Sequence, residues 1–120
     1  MDGARAPRVL VVDDDEDIRE TLSEILGANG FEVSTASNGR EALARLRATP
    51  HALVVLDLMM PVMTGWEFRE AQMRDAAIAT VPVIVISAAR APRHVDAVAF
   101  LPKPFDVDRL LDLARAHAPA

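Results

Sequence analysis

The chain has 120 residues, 51% hydrophobic and 26% charged, with a formal net charge of -5. That length holds one core and one domain, 1–120, and the apolar content excludes a disordered chain. The acidic balance argues against a nucleic-acid-binding face, and the absence of Cys excludes disulfides, thiolate metal sites and a Cys nucleophile.

No apolar run reaches membrane-spanning length and the N-terminus lacks a signal-peptide core, so no membrane partner is expected and cytoplasmic residence is the default. Taken in order, Arg8 to Asp13 is a first strand, apolar enough to be buried on both faces. Asp13-Asp14-Asp15 follows, with Asp15 read as a helix cap. A helix then runs from about Glu16 to Ala28, placing Ile18, Leu22, Ile25 and Leu26 on one stripe, and Gly30 ends it. Phe31 to Ala36 is a second strand. Asn38 with Glu41 starts a second helix by a capping-box pattern, with Ala42, Leu43 and Leu46 facing the core and Pro50 closing it. The third strand, Ala52 to Leu56, delivers Asp57, and Pro61 and Gly65 mark the loop behind it.

Thr64 and Glu67 repeat the capping pattern for a helix to about Arg74. Pro82 to Ile86 is a fourth buried strand ending at Ser87, and Val98 to Leu101 a fifth, leading to Pro102-Lys103-Pro104. Asp106 caps a closing helix with Leu110, Leu113 and Ala114 inside. The order is (βα)₅, which demands a parallel sheet with right-handed crossovers and helices on both faces. The fourth helix is short or missing. Only 15 residues separate Ser87 from Lys103, and Ala88 to Ala97 contains Pro92. A mobile loop with a helical turn near His94 to Ala97 is expected there. The sheet's apolar cover must then come from elsewhere, such as a partner or second subunit.

The polar residues fall at strand ends. Asp13 and Asp14 follow strand one, Asp57 strand three, Ser87 strand four, and strand five runs into Lys103. In one parallel sheet these gather at a single edge, where open α/β sheets hold their ligands. Three carboxylates together repel, and an oxygen-only set suits Mg²⁺ (or Mn²⁺). A carboxylate, a hydroxyl, a metal and an ammonium are the parts of phosphoryl transfer. Lys103 stands out as the only lysine against 12 arginines, so a compact point charge is wanted at that place.

At these residues the chain resembles the receiver domain of bacterial two-component response regulators. The matching pieces are Val11-Val12-Asp13-Asp14-Asp15-Glu16, Leu56-Asp57-Leu58-Met59-Met60-Pro61 with Gly65, Ser87-Ala88, and Leu101-Pro102-Lys103-Pro104-Phe105. The resemblance implies a flavodoxin-like doubly wound sheet of strand order 2-1-3-4-5. It implies that Asp57 accepts a phosphoryl group from a phosphohistidine of a sensor histidine kinase or phosphotransfer protein. Asp14, Asp57 and the Met59 backbone carbonyl then hold the metal directly, and Asp13 does so through water. Lys103 contacts the phosphoryl oxygens, Ser87 bonds to them, and Phe100 takes the switch-aromatic position. A cis Lys103–Pro104 peptide is also implied.

Plainer readings stand beside these. Phe100 on a buried strand is core material first, Trp66 is packing, and Met59, Met60 and Met63 are loop packing. His51, His94 and His117 have no ligand spacing and support neither a metal site nor a phosphohistidine relay. Met59 and Ala89 depart from the family by offering no polar side chain beside the phosphoryl site, so slow dephosphorylation is expected. A haloacid-dehalogenase-like phosphohydrolase needs a second Asp two residues after the nucleophile, where this chain has Met59. A pseudo-receiver signalling by binding alone is disfavoured by the retained Asp13, Asp14, Asp57, Ser87 and Lys103. No effector domain is encoded, so the chain is either a stand-alone regulator or a receiver cut from a longer protein, with its output partner unknown. A homodimer stays open, though not through the usual helix-four face.

Overall fold

β-Branched runs bounded by turn residues become the strands, and the stripes between them become helices. A computed structural model describes residues 6–88 and 95–119. Its elements are β1 (Arg8–Val12), α1 (Glu16–Ala28), β2 (Glu32–Ala36), α2 (Gly39–Ala48), β3 (Leu53–Asp57), α3 (Gly65–Met73), β4 (Val83–Ser87), β5 (Ala99–Pro102) and α4 (Val107–His117). The strands are all parallel, in the order β2-β1-β3-β4-β5. This is the doubly wound, flavodoxin-like arrangement that the resemblance implies. The strand limits differ from the sequence reading by one residue at several ends.

Side-chain alternation along the strands divides the core in two. Val9 and Val11 of β1 join Leu22 and Leu26 of α1 and Leu110 of α4 on one face. Leu10 and Val12 join Leu43 and Leu46 of α2 and Phe68 of α3 on the other. Every residue of β3 and of β4 is buried, as a central parallel strand requires.

Helix ends follow local chemistry. Asp15 caps α1 by accepting from the Asp17 and Ile18 backbone N–H groups. The helix closes with Gly30 at φ +93°, while Phe31 N–H donates to the Leu26 carbonyl (3.1 Å), a Schellman ending. Thr64 and Glu67 form the full capping box of α3. At α2 only half of it forms: Asn38 accepts from Glu41 N–H, but the Glu41 carboxylate reaches Ser37 N–H instead.

No helix lies between β4 and β5 among the described residues. The turn expected at His94 to Ala97 is absent from Val95–Ala97, which are irregular, while His94 and the rest of 89–94 fall outside the described residues. Tertiary bonds hold Val95–Val98 in that irregular path. Arg69 Nε donates to the Asp96 carbonyl (2.7 Å), and Val98 N–H donates to the Val83 carbonyl (2.9 Å). Val95 is buried in the core on the α2/α3 side, with Ala97 packed against it. Part of the apolar cover expected from a partner is thus supplied by this segment of the chain itself. Behind it, fully buried Gln72 accepts from Arg69 and donates to the Ile78 and Val81 carbonyls.

Phe100 corrects the core reading of that residue, being 47% exposed. Its neighbours Ala99 and Leu101 pack toward α4, so Phe100 points to the opposite face of an edge strand. No described helix covers that face there.

Gly65 fixes the loop behind β3. A Cβ there would lie 2.7 Å from the Asp57 carbonyl oxygen and 2.7 Å from Leu58 Cα, both backbone atoms that cannot step aside. Gly65→Ala should lower stability by about 1–3 kcal/mol, the usual cost of overpacking. The urea midpoint measures it, and an unchanged midpoint would mean the loop yields freely.

Candidate functional site

The carboxyl ends of the parallel strands share one edge, and the polar residues predicted for it do meet there. Asp13 follows β1 and is fully buried. One of its carboxylate oxygens accepts from Asp15 N–H (2.9 Å) and the other from Lys103 Nζ (2.9 Å). Asp57 ends β3 and is 3% exposed, with Lys103 Nζ 3.6 Å from its Oδ1. Asp14 is exposed. Carboxylate oxygens from Asp13, Asp14 and Asp57 lie within 4.8 Å of one another.

Lys103 reaches this cluster because its backbone is anchored beyond β5. Its N–H donates to the Ser87 carbonyl (2.9 Å), and the Lys103–Pro104 peptide is cis as implied. Ser87 is itself buried at the end of β4. Met59 turns its side chain to solvent and its N–H toward Asp57 Oδ1, at a long 3.4 Å. Phe100 lies outside the cluster on the exposed face of β5, and Ala89 falls outside the described residues.

Burial and then the neighbouring Asp13 carboxylate push the Asp57 carboxyl up to about 6, against the pull of Lys103 and the Met59 N–H. For Lys103, burial works against the charge, but the hydrogen bond to Asp13 and the fields of Asp57 and Asp13 outweigh it and raise its pKa. The site therefore stores carboxylate repulsion that one ammonium only partly relieves.

That repulsion has a pH signature. Since the folded pKa of Asp57 exceeds its unfolded value of 3.8, the folded chain binds more protons between the two. The contribution is fully present below pH 3.8 and is lost as pH rises through about 6. Without divalent metal, Asp57→Asn should therefore be the more stable protein at pH 7, by an amount on the order of 2–3 kcal/mol. The difference should vanish near pH 3.5 (roughly the foot of carboxylate titration). Denaturant curves at the two pH values test this, and a gain that does not change with pH rejects the electrostatic origin.

Three hard oxygen donors so close together fit a divalent cation that retains water. Both Asp13 oxygens are already engaged within the chain, whereas Asp14 is open to solvent. Asp14 and Asp57, with Asp13 behind them, could hold such a cation.

A family model for the response regulator receiver domain matches residues 9–115. The chain belongs to that family. A response regulator receiver protein of Anaeromyxobacter is 41% identical to this receiver over 110 residues, covering 88% of this chain and 46% of its own. The response regulator MprA of Mycolicibacterium vanbaalenii is 40% identical over 115 residues, covering 91% and 49%. The chain thus spans about half the length of these relatives. Among solved structures, the chemotaxis protein CheY4 of Vibrio cholerae superposes with a TM-score of 0.86 at 34% identity, covering 95% of this receiver and 99% of itself. Receivers are signalling domains rather than conventional enzymes. No described helix is long and apolar enough to cross a membrane.

Some supports of the site were not read from the sequence. Arg19 Nη1 donates to the Asp13 carbonyl (2.7 Å), holding the β1–α1 turn from behind. Arg69 and Gln72 brace the approach to β5. None of the three carries a sequence signal. Arg19 looks like any surface arginine of an amphipathic helix, and the Arg69–Asp96 contact spans 27 residues.

Proposed function

We propose that this receiver takes a phosphoryl group onto Asp57 from the phosphohistidine of a sensor histidine kinase or phosphotransfer protein, in a Mg²⁺-dependent (or Mn²⁺-dependent) reaction, and that the product switches its partner binding. The observation that carries this reading is the nearly buried Asp57 carboxylate, set between two further carboxylates and Lys103. An Asp57 oxygen forms the new bond to phosphorus as the phosphorus–nitrogen bond to the donor imidazole breaks, giving an acyl phosphate. Lys103 neutralises the phosphoryl oxygens from its position between Asp13 and Asp57. Asp14, Asp57 and the Met59 carbonyl would hold the cation, with Asp13 acting through water. When bound, the cation shields charge between the carboxylates and the incoming phosphoryl group.

The switch uses Ser87 and Phe100. The Ser87 hydroxyl moves to the phosphoryl oxygens, and Phe100, now exposed, turns inward behind it. Its exposure supports that role, since a side chain already in the core would have nowhere to go. We take residues 1–120 as one cytoplasmic receiver unit that assists its own phosphorylation and dephosphorylation. Its output goes to a protein partner or effector domain, not to nucleic acid or membrane.

Incubation with a small acyl-phosphate donor and Mg²⁺ should add one phosphoryl mass, mapped to Asp57. No gain, or a gain elsewhere, overturns the reading. Mg²⁺ should also raise the melting temperature by mass action, worth about 2.7 kcal/mol at one hundred times the dissociation constant. Asp14→Ala should lose that gain, and an equal response in both proteins would reject the metal site.

A further inference from the structure

Away from the carboxylate edge, a cavity of about 360 Å³ lies between β2, α2 and the start of β3. Ser34, Arg8, Arg45, Ala44, Ala48 and His51 are among its lining residues. Ser34 Oγ and His51 Nε2 stand 2.6 Å apart, and His51 Nδ1 lies 2.8 Å from the Thr49 carbonyl oxygen. A carbonyl can only accept, so Nδ1 carries a proton. Burial holds the His51 pKa below its usual value, opposed by the Thr49 bond and helped by Arg8 and Arg45. With Nδ1 carrying the proton and the charged ring disfavoured, Nε2 is the acceptor and the Ser34 hydroxyl donates to it. A hydroxyl, a base and a group orienting that base are the parts of an activated nucleophile. The phosphoryl chemistry of Asp57 uses none of them.

We propose that Ser34 is a nucleophile activated by His51 and that it takes the acyl group of short-chain carboxylic esters. Ser34 Oγ bonds to the ester carbonyl carbon as its proton passes to His51 Nε2. The bond from that carbon to the leaving oxygen then breaks, and the alcohol departs with the proton. Water hydrolyses the acyl-serine, releasing the acid and restoring Ser34. The Ala44 and Ala48 methyls leave room for a short apolar chain beside the pair. Arg8 is tied to Glu32 (2.9 Å) and Glu41 accepts from Ser37 N–H, so Arg45 is the cation of the lining left to favour the negative charge developing on the carbonyl oxygen.

A fluorophosphonate probe tests the nucleophile, because serine attack forms an oxygen–phosphorus bond and expels fluoride. Intact mass should show one adduct on the full chain, mapped to Ser34, and also present in Asp57→Asn. Labelling should be on the order of 100-fold slower in His51→Gln, the usual contribution of a positioned base. An unlabelled wild-type chain, an adduct on another residue, or equal labelling of His51→Gln overturns the assignment. The wild-type result stands whether or not the variant folds, and a melting curve of His51→Gln checks the comparison. With p-nitrophenyl acetate, wild type should release nitrophenol in a burst that Ser34→Ala lacks. Equal release from both proteins overturns the acyl-transfer step.

Discussion

Asp57→Asn should take up no phosphoryl group from an acyl-phosphate donor while keeping its fold. The amide nearly matches the carboxylate in shape, so the packing around the end of β3 and the Met59 N–H contact can persist. What disappears is the nucleophile, since an amide oxygen cannot supply the electron pair that a carboxylate does. Nothing nearby replaces it. Asp13 is fully buried with both oxygens already hydrogen-bonded, and Asp14 sits on the exposed side of the cluster. Because the substitution also removes a repelled charge, stability at neutral pH should rise rather than fall, so lost uptake cannot be blamed on unfolding. Intact mass with and without Mg²⁺ measures uptake, and peptide mapping locates any adduct. A phosphoryl group found on the variant at stoichiometric level would mean that the acceptor is another residue.

Lys103→Met should be the most destabilising single change at this edge. Asp13 has no exposed surface, and its only side-chain partner among the described hydrogen bonds is Lys103 Nζ at 2.9 Å. A buried ion pair gains little over an apolar pair, but removing one member strands the other charge at a cost of about 3–5 kcal/mol. Here the stranded charge also faces Asp57, whose pKa is already raised by burial and then by Asp13. Lys103→Arg keeps the charge but replaces a point ammonium with a planar fork, so it should recover part of the stability without restoring the geometry. Urea unfolding in the absence of divalent metal gives both numbers. A Lys103→Met protein within about 1 kcal/mol of wild type would show that water or a rearranged Asp13 takes over the pairing.

Alternation of apolar runs with helical stripes was enough to read a parallel sheet, because buried strands and amphipathic helices leave distinct periods in the chain. Asp15, Thr64, Glu67 and Gly30 were legible for the same reason: helix capping joins residues only two to five positions apart. The clustering of Asp13, Asp14, Asp57 and Lys103 also followed from the sequence, since parallel strands put all their carboxyl ends on one edge. The strand order 2-1-3-4-5 came from the family resemblance, as alternation alone does not order the strands.

Contacts between distant segments were decided only in three dimensions. Phe100 looked like core because its strand is apolar, but an edge strand with no described helix over one face leaves alternate residues in solvent. Val95–Ala97 lack the helical turn expected over His94 to Ala97 because Arg69 and Val83 bond the backbone of this segment in another path. Ser34 and His51, 17 positions apart, meet only because β2 and the start of β3 flank the same strand, and no local pattern marks them as a pair. Local hydrogen bonds and side-chain period are written along the chain, whereas exposure and long-range pairing depend on what the folded neighbours leave uncovered.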